Sequence, residues 1–352
     1  MILMSLAFAV VWSGDVRSAP APKGGLVLPD GRVFVAGSRS TSGVRELVLH
    51  GSGDAGKSWK EVGVVTTDPS PQADLGDGNL VRLRDGRLLC VFRRNHHGST
   101  PDYAIEVAES RDGGRTWKKH STVEAVRPEG PGPSRGLWAP FLFVTRKGDI
   151  QCYYDDEHLP WKSGVSGHQW IVMKTWRGGQ WASPTVVARE SEGLSRDGMA
   201  TVAETSPGRL LCVVEAVRAE RPHAGVLRGF ASSDVGRTWG APSTVYAPKE
   251  PFHAFAPSVI RVGKSLVLAF ATNEDRSETL PTGNPPDKLR LDIKSIVSED
   301  GGRTWSAPSL VFGSTHRSYL PSLVSLGRDR LLTTFHDFER GPLAVEGRLS
   351  RR

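Results

Sequence analysis

Cysteine is scarce in this sequence, with only three residues in a chain of 352. Cys90, Cys152 and Cys212 lie in similar apolar stretches, LLCVF, IQCYY and LLCVV, of three successive repeats. Equivalent positions in neighbouring repeats should lie too far apart for a disulfide bond. We therefore expect three buried free thiols, which excludes a disulfide-stabilised scaffold. No cysteine and histidine spacing typical of a metal site is present, so no metal is expected.

Helical periodicity and clustered positive charge are also lacking. No long stretch shows a convincing helical pattern. Lysine and arginine give a net charge of +7, but they form no block with interleaved aromatic residues, so we expect no nucleic-acid partner. There is no nucleotide-binding loop, and we expect no cofactor. The apolar start MILMSLAFAVVWSG is too short for a stable membrane span.

Glycine and proline are abundant, with 39 and 24 residues, as in a turn-rich all-β chain. One turn-like pattern recurs: Ser, then Asp two residues later, Gly two after that, and a final Trp. The four good copies are Ser52–Trp59, Ser110–Trp117, Ser232–Trp239 and Ser298–Trp305, and a degenerate copy spans Thr175–Trp181. The Asp carboxylate can accept backbone N–H groups and Gly can adopt positive φ. The pattern therefore predicts a structural strand-to-strand turn rather than a catalytic carboxylate.

A second pattern runs in step with the first. It consists of an apolar strand, a turn with glycine, and another apolar strand that ends in polar residues. The six turn glycines are Gly31, Gly86, Gly148, Gly208, Gly263 and Gly327. Such hairpins are marginal alone but bury their faces when packed radially. The sequence therefore predicts an all-β fold, a six-bladed β-propeller with four-stranded antiparallel blades.

The first 18 residues allow two interpretations. They resemble the apolar part of a signal peptide, although no Lys or Arg precedes them. Alternatively, they form the outermost strand of the last blade and close the ring, because the chain stops about where a further repeated turn would begin. Residues 19–352 are expected to form one propeller domain, and we expect a monomer. A secreted or periplasmic location would follow from the first interpretation and a cytoplasmic one from the second.

The hairpin register predicts where polar side chains meet. In an antiparallel hairpin, the start of the first strand and the end of the second lie at the same end, here around the central channel. Charged and aromatic groups at one mouth suit a sugar site, and carboxyls next to apolar walls have the raised pKa that a general acid needs. The predicted set contains Asp77, Arg93, Arg94, Trp138, Asp155, Asp156, Glu157, Arg196, Asp197, Glu215, His253, Arg317, Tyr319 and His336.

The repeated turn is identified as the Asp-box, and the chain resembles the sialidase-like β-propeller superfamily over essentially its whole length. Within it, the stretches LWAPFLF, QCYYDDE, and RDGMATV followed by RLLCVVE are similar to glycoside hydrolase family 93, the exo-acting arabinanases. This resemblance implies that Glu215 is catalytic and that Asp155, Asp156 and Glu157 form an acidic substrate-binding segment. The family pattern has a catalytic Glu where this chain has Ala139, so half of the expected carboxylate pair is missing there.

Sialidases offer a second comparison. They use an arginine triad for the substrate carboxylate, a Tyr–Glu nucleophile pair and an Asp acid/base. By this resemblance Tyr319 would be the nucleophile and Glu215 its partner, with Arg317 and Arg94 in the triad. Arg17 would be a remnant of the first arginine, although RSAP matches the family signature poorly. Asp77 is the candidate for the acid/base.

Three hypotheses follow. The first is an exo-acting glycosidase that cleaves terminal sugars of a glycan. Glu215 and one of Asp155, Asp156 or Glu157 would be its carboxyls, while Arg94, Arg196, His253 and Arg317 position the substrate and Trp138 and Tyr319 stack on it. The second is an exo-α-sialidase with the Tyr319–Glu215 pair. The third is a non-catalytic carbohydrate-binding propeller, for which Ala139 is the best support, because a fold alone does not fix a function.

Overall fold

The computed structural model describes residues 8–20, 23–127, 135–159, 169–189, 194–218, 224–276 and 289–351. It is an all-β chain of six antiparallel sheets, which confirms the predicted six-bladed propeller. Apolar residues alternate or run continuously along the inner strands, and all eight residues of the strand SLVLAFAT are buried. Strands buried on both faces pack against the neighbouring blades. No helix in the described ranges is long and apolar enough to cross a membrane.

The first three blades follow one another along the chain. In the third blade the outermost strand is split in two, and both pieces pair with β12. Blade 1 consists of β2 Gly25–Val27, β3 Val33–Thr41, β4 Val44–Ser52 and β5 Lys60–Asp68; blade 2 of β6 Ala73–Arg82, β7 Leu88–His96, β8 Asp102–Ser110 and β9 Lys118–Val126; blade 3 of β10 Leu137–Val144, β11 Ile150–Asp156, β12 Trp170–Arg177, β13 Gln180–Trp181 and β14 Thr185–Ala188.

The last three blades complete the ring. Strand β1 is the outermost strand of the sixth sheet and pairs with β25, from Phe8 opposite Arg351 to Ser18 opposite Leu343. The chain segment expected to be either a leader or a ring-closing strand is therefore a strand of blade 6 from Phe8 onward. Blade 4 consists of β15 Leu194–Ser206, β16 Arg209–Arg218, β17 Gly225–Ser232 and β18 Ser243–Tyr246; blade 5 of β19 Ala254–Val262, β20 Ser265–Thr272, β21 Asp292–Ser298 and β22 Ser309–Phe312; blade 6 of β23 Ser318–Gly327, β24 Arg330–Asp337, β25 Gly341–Arg351 and β1 Phe8–Ser18.

The repeated turn joins the third and fourth strands of a blade. In the copy that follows β21, Asp300 Oδ1 accepts the Thr304 N–H at 2.9 Å and the Ser298 hydroxyl at 2.8 Å. Gly302 has φ +92°, and a Cβ there would lie 2.5 Å from a methyl group of Leu211 in blade 4. The turn thus packs against the preceding blade, which gives the pattern a structural role. Hydrogen bonds lower the pKa of Asp300 to about 2 despite the opposing effect of burial.

The three cysteines are buried free thiols, as the sequence predicts. Burial raises the pKa of each thiol well above its ordinary value. Each lies in a hydrophobic cluster between adjacent blades. The described residues contain no group of three or more His, Cys, Asp or Glu side chains that could hold a metal ion.

The innermost strands of blades 2 to 6 share one irregularity near the channel. The register between the first and second strands shifts at the same place in each. A non-glycine residue with φ between 45° and 58° lies at every shift, namely Asp77, Ala139, Met199, Ala256 and Leu320. Such bulges re-aim side chains and backbone groups, and the strained φ costs about 1–3 kcal/mol each. These bulges set the geometry of the site.

Candidate active site

Glu215 lies at the centre of the ring although only 1% of its surface is exposed. Its Oε2 accepts the Ala256 N–H at 2.8 Å and the Tyr319 hydroxyl at 3.2 Å, and its Oε1 accepts Arg196 Nη2 at 3.0 Å. These partners belong to blades 4, 5 and 6. A residue of blade 4 can contact one of blade 6, across blade 5, only near the propeller axis. Glu215 therefore points to the channel and not into a blade core.

Asp155 is the second carboxyl of the cluster. Both of its oxygens lie 3.1 Å from the Met199 amide nitrogen, and Oδ2 also accepts Gln169 Nε2 at 3.0 Å. Burial raises the pKa of Asp155 well above its ordinary value, and the neighbouring Glu215 carboxylate adds to this effect. A carboxyl with a raised pKa next to one held by an arginine is the arrangement of an acid and a base or nucleophile.

Gly198 lies between these two carboxyls. A Cβ on Gly198 would be 3.2 Å from Asp155 Oδ2, 3.5 Å from Glu215 Oε1 and only 2.7 Å from Gln169 Nε2. Both carboxylates therefore border the small space that a side chain at this position would fill. Because Gly198 has no Cβ, the Asp155 and Glu215 carboxyl groups can border the same space.

The basic and phenolic groups around Glu215, namely Arg196 and Tyr319, both have raised pKa values. Burial works against the charge of Arg196, but Glu215 and the other acidic groups around it together outweigh burial and raise the pKa of the guanidinium. Burial, followed by the Glu215 carboxylate, raises the pKa of Tyr319 well above its ordinary value, so the phenol is protonated and donates to Glu215. Any nucleophilic role for Tyr319 would require Glu215 to take this proton.

Trp138 and Glu157 form a hydrogen-bonded pair beside the cluster. Glu157 Oε2 accepts the Trp138 indole N–H at 3.0 Å and the Gly136 N–H at 2.8 Å. The Trp138 ring stacks on His97 with the centroids 5.7 Å apart and lies 5.7 Å from the Arg93 guanidinium carbon. Glu157 also contributes to the pKa of Arg196, which places it near the same centre.

Asp77, Arg93 and Lys23 form a second group beside the first. Arg93 pairs with Asp77 and with both oxygens of Asp74, at 2.9 and 3.1 Å. Burial opposes the ionisation of Asp77, yet Arg93 and Lys23 hold its pKa at about 2. Asp77 is therefore a carboxylate at neutral pH, which is unfavourable for the acid/base role that the sialidase resemblance suggests for it.

The remaining expected residues are placed elsewhere. Asp156 accepts the His158 and Leu159 N–H groups at 2.7 Å and so caps the turn after β11. Asp197 is fully buried and binds Arg228 with both oxygens, at 2.6 and 2.5 Å. These contacts indicate that the Asp156 and Asp197 carboxylates stabilise the fold.

Two further expected side chains, Arg94 and His253, point away from the cluster. Arg94 pairs with Glu106 inside blade 2 at 3.3 Å. His253 is 1% exposed, accepts the Gly225 N–H at 3.0 Å, and has its pKa lowered to about 4 by burial. It is thus a neutral, structural imidazole.

Arg317 and His336 lie at the rim. The Arg317 guanidinium carbon is 3.5 Å from the centroid of Phe338 and 6.0 Å from that of Tyr319. His336 packs edge-on against Phe338 with the centroids 4.6 Å apart. Arg17 is instead bound to Asp15 on the outermost strand of blade 6. Arg17 and Arg94 thus each pair with a carboxylate on their own blade.

Sequence reasoning missed several groups that build the site. The Met199 and Ala256 amides, the Gln169 side chain and Gly198 hold or border the carboxyl pair. Their roles depend on the bulges of the inner strands in blades 2 to 6. The local signal at these bulges is a glycine or proline beside the strained residue, namely Gly76, Gly78, Pro140, Gly198, Pro257 and Pro321. Lys23 precedes the first blade and had no recognisable pattern.

Neither a comparison with protein-family models nor one with curated proteins finds a match. Solved structures do match. An α-L-arabinofuranosidase from Fusarium graminearum, in complex with an iminosugar inhibitor, is 19% identical over 98% of this chain and 97% of its own, with a TM-score of 0.71. An α-L-arabinanase from Penicillium chrysogenum, in complex with arabinobiose, is 16% identical over 97% of each chain, with a TM-score of 0.69.

A Hadza microbial sialidase is 17% identical over 98% of this chain and 66% of its own, with a TM-score of 0.60. The chain shares the six-bladed propeller fold of these proteins. At such identities the likeness shows the fold alone. The expected resemblance to the sialidase-like superfamily is thereby confirmed at the level of architecture.

Proposed function

We propose that the chain is an exo-acting glycoside hydrolase that cleaves terminal sugars from a glycan at the mouth of the channel. The observation that carries the proposal is the Glu215 carboxylate, which is buried at the axis, bound by groups from three blades, and paired across Gly198 with Asp155. Two carboxyls with different environments flanking one space are what glycoside hydrolysis requires. The glycan ligands and activities in the names of the structural neighbours agree with this class.

The two carboxyls take different roles. Asp155 is the proposed general acid, because burial raises its pKa and keeps a proton available for the leaving oxygen. Glu215 is the proposed nucleophile or base, because Arg196 and two hydrogen-bond donors stabilise its negative charge. Arg196 holds Glu215 in place, and Trp138 and Glu157 lie where they can contact the sugar ring. In this scheme Asp155 supplies the carboxyl that is missing at Ala139.

A second candidate is an exo-α-sialidase in which Tyr319 attacks the sugar after giving its proton to Glu215. The 3.2 Å contact between the Tyr319 hydroxyl and Glu215 Oε2 favours it. The placement of Arg94 and Arg17 with other partners does not favour the expected arginine triad. A substrate carboxylate would need other cations.

The test is a hydrolysis screen with chromogenic sialosides, arabinosides and other glycosides, run on the wild type and on Glu215→Gln. We expect turnover of one glycoside class and its loss by about 100-fold or more in the variant. Glu274→Gln is the matched control, because Glu274 also accepts a tyrosine hydroxyl and pairs with Lys294, at a different blade interface. Its activity should be retained.

Three other outcomes are informative. Turnover of sialosides alone would favour the second candidate. Turnover that survives Glu215→Gln would refute the assigned role. A folded wild type that binds glycans and hydrolyses none of these substrates would refute the enzyme and identify a binding propeller, with Ala139 as the reason.

A further inference from the structure

A cleft with a volume of about 720 Å³ opens at the mouth between blades 1, 2 and 6. A narrower cavity of about 350 Å³ runs along the inner strands, and Lys23 and Leu320 line both spaces. The wider cleft contains four cations, two histidines and two carboxylates. They are Lys23, Arg39, Arg45, Arg93, His97, His336, Asp74 and Asp77.

Most of these charges are already compensated. Arg93 binds both Asp74 and Asp77. Arg39 pairs with Glu46 and Glu61, each at 2.6 Å, at the outer side of blade 1. The less completely compensated cations in the described structure are therefore Lys23, which is 3.6 Å from an oxygen of Asp77, a carboxylate that Arg93 also binds, and Arg45, which donates to the Pro71 carbonyl. The lining of the cleft thus has more cationic side chains than carboxylates.

Lys23 is the more unusual of the two. Its side chain is 12% exposed, and its ammonium is buried without a hydrogen-bond partner among the residues that the structure describes. The nearest carboxylate oxygen recorded for it, Asp77 Oδ1, is 3.6 Å away. An ammonium carries three N–H donors, and leaving them unsatisfied inside a protein is costly. Arg45 Nε is likewise buried without a partner in the described ranges, while Arg45 Nη2 donates to the Pro71 carbonyl at 3.4 Å.

Lys174 shows that this fold can satisfy a lysine at the same depth. Its side chain is also 12% exposed, yet its ammonium donates to Glu124 at 2.9 Å and to the Val123 carbonyl at 3.0 Å. Burial alone therefore does not explain why the Lys23 ammonium lacks a hydrogen-bond partner among the described residues. Its three N–H donors have no acceptor among the described residues and are therefore available to a bound ligand.

We propose that the cleft binds an anionic group, a carboxylate or a sulfate, carried by the glycan, with Lys23 as the direct contact and Arg45 as a second cation. Lys23 is close enough to the carboxyl pair to oppose the rise in the pKa of Asp155. The anionic group would thus sit next to the sugar that Glu215 contacts. This inference rests on the proposed function only in taking a glycan as the ligand, and it names the substrate class as acidic.

The test is calorimetric binding to three sets of oligosaccharides of equal length, made of galacturonate, of sulfated galactose and of neutral arabinose. Glu215→Gln is the parent protein, because it prevents hydrolysis during titration. We expect the parent to prefer one or both anionic sets, and added salt to weaken that binding. Preference for the galacturonate or the sulfated set distinguishes carboxylate from sulfate recognition.

Lys23→Met in this parent should lower the affinity for the preferred anionic set by about tenfold or more, because a charge-assisted hydrogen bond is lost. Lys23→Arg should keep most of it, and Lys174→Met should leave it unchanged. If Lys23→Met does not fold, Arg45→Met is the substitute and should weaken anionic binding alone. Equal binding of neutral and anionic sets, or undiminished anionic binding in the variants that fold, would overturn the proposal.

Together with the hydrolysis screen, this experiment distinguishes the proposed anion-binding cleft from the proposed glycosidase function. Anionic binding that depends on Lys23, in a protein without glycosidase activity, would support the cleft and refute the proposed function. Glycosidase activity on a neutral sugar, with no preference for anionic chains, would support the proposed function and refute the anion-binding cleft.

Discussion

The hydroxyl of Tyr319 is the most informative single group in the site. Tyr319→Phe removes one oxygen atom and leaves the ring in its place, so the change reports on the contact to Glu215 Oε2 at 3.2 Å. The phenol is buried, and its pKa is raised by burial and by Glu215, which means that the variant loses a donated hydrogen bond and not a charge. The perturbation is therefore local and its energetic consequence can be bounded.

Two magnitudes separate the two mechanisms. If the hydroxyl only stabilises the Glu215 carboxylate, its loss removes a hydrogen bond to a charged group, worth about 1.5–3 kcal/mol, and kcat/KM should fall by about 10- to 150-fold. If Tyr319 is the nucleophile, the loss should be on the order of 10⁴- to 10⁶-fold, as for other catalytic units. We expect the smaller effect, because Glu215 itself faces the shared space with Asp155.

The assay is kcat/KM on the glycoside that the wild type hydrolyses, measured beside Tyr246→Phe. Tyr246 donates to Glu274 in a comparable buried pair at the interface of blades 4 and 5, away from the channel. Its variant should lose some stability and no activity. An unchanged kcat/KM in Tyr319→Phe would refute the assignment of this cluster as the active site, and a loss in both variants would show that the effect is structural.

Three further predictions concern other positions. Gly198→Ala should lower kcat/KM on the order of 100-fold, because the added methyl would lie 2.7 Å from Gln169 Nε2 and 3.2 Å from Asp155 Oδ2 and would displace both side chains. Gly53→Ala, where nothing lies within 4 Å of the added methyl, should have no effect on kinetics. Asp155→Asn should abolish activity and yet raise the melting temperature relative to wild type, more at neutral pH than in acid. Burial raises the pKa of Asp155, so the folded state loses stability as pH rises above the ordinary value; an equal difference at both pH values would contradict this. Asp112 is the opposite case, because the Thr116 hydroxyl and N–H lower its pKa to about 2. Its contribution to stability is present at neutral pH and is lost as pH falls from about 4 to about 2, and thermal melts of Asp112→Asn over that range should show a weaker acid dependence than those of the wild type.

The repeats made the architecture predictable. Each hairpin and each repeated turn is a local signal, and six copies in step require a closed ring. The register argument also placed Glu215, Asp155, Arg196 and Tyr319 at one end of the channel, and the structure brings them together.

The choice of individual side chains was less predictable. In a regular strand, successive residues point to opposite faces, and the sequence alone does not show which of Arg93 and Arg94 faces the channel. The bulge at Asp77 and the pairing of Arg93 with Asp74 and Asp77 decide this in the folded chain. The strained residues share no residue type, and the glycine or proline beside each of them does not show how the bulge re-aims the neighbouring side chains.

Polar residues near strand ends were the other source of error. Asp156 and His253 follow or precede apolar strands, as the residues of the cluster do, but they bind nearby backbone N–H groups and stabilise turns and blade contacts. Sequence position gives the end of the propeller at which a residue lies. It does not show whether that side chain binds a nearby backbone N–H group or faces the channel.

The pairing of β1 with β25 has a consequence for biosynthesis. The ribosome synthesises β1 before blades 1 to 5 and its hydrogen-bonding partner β25 after them, since Phe8 lies opposite Arg351. Until then, β1 has an unpaired edge that could bind another nascent chain, while blades 1 to 5 can form from contiguous sequence. The closing contact of the ring therefore has to wait until all the strands of the other five blades have been synthesised.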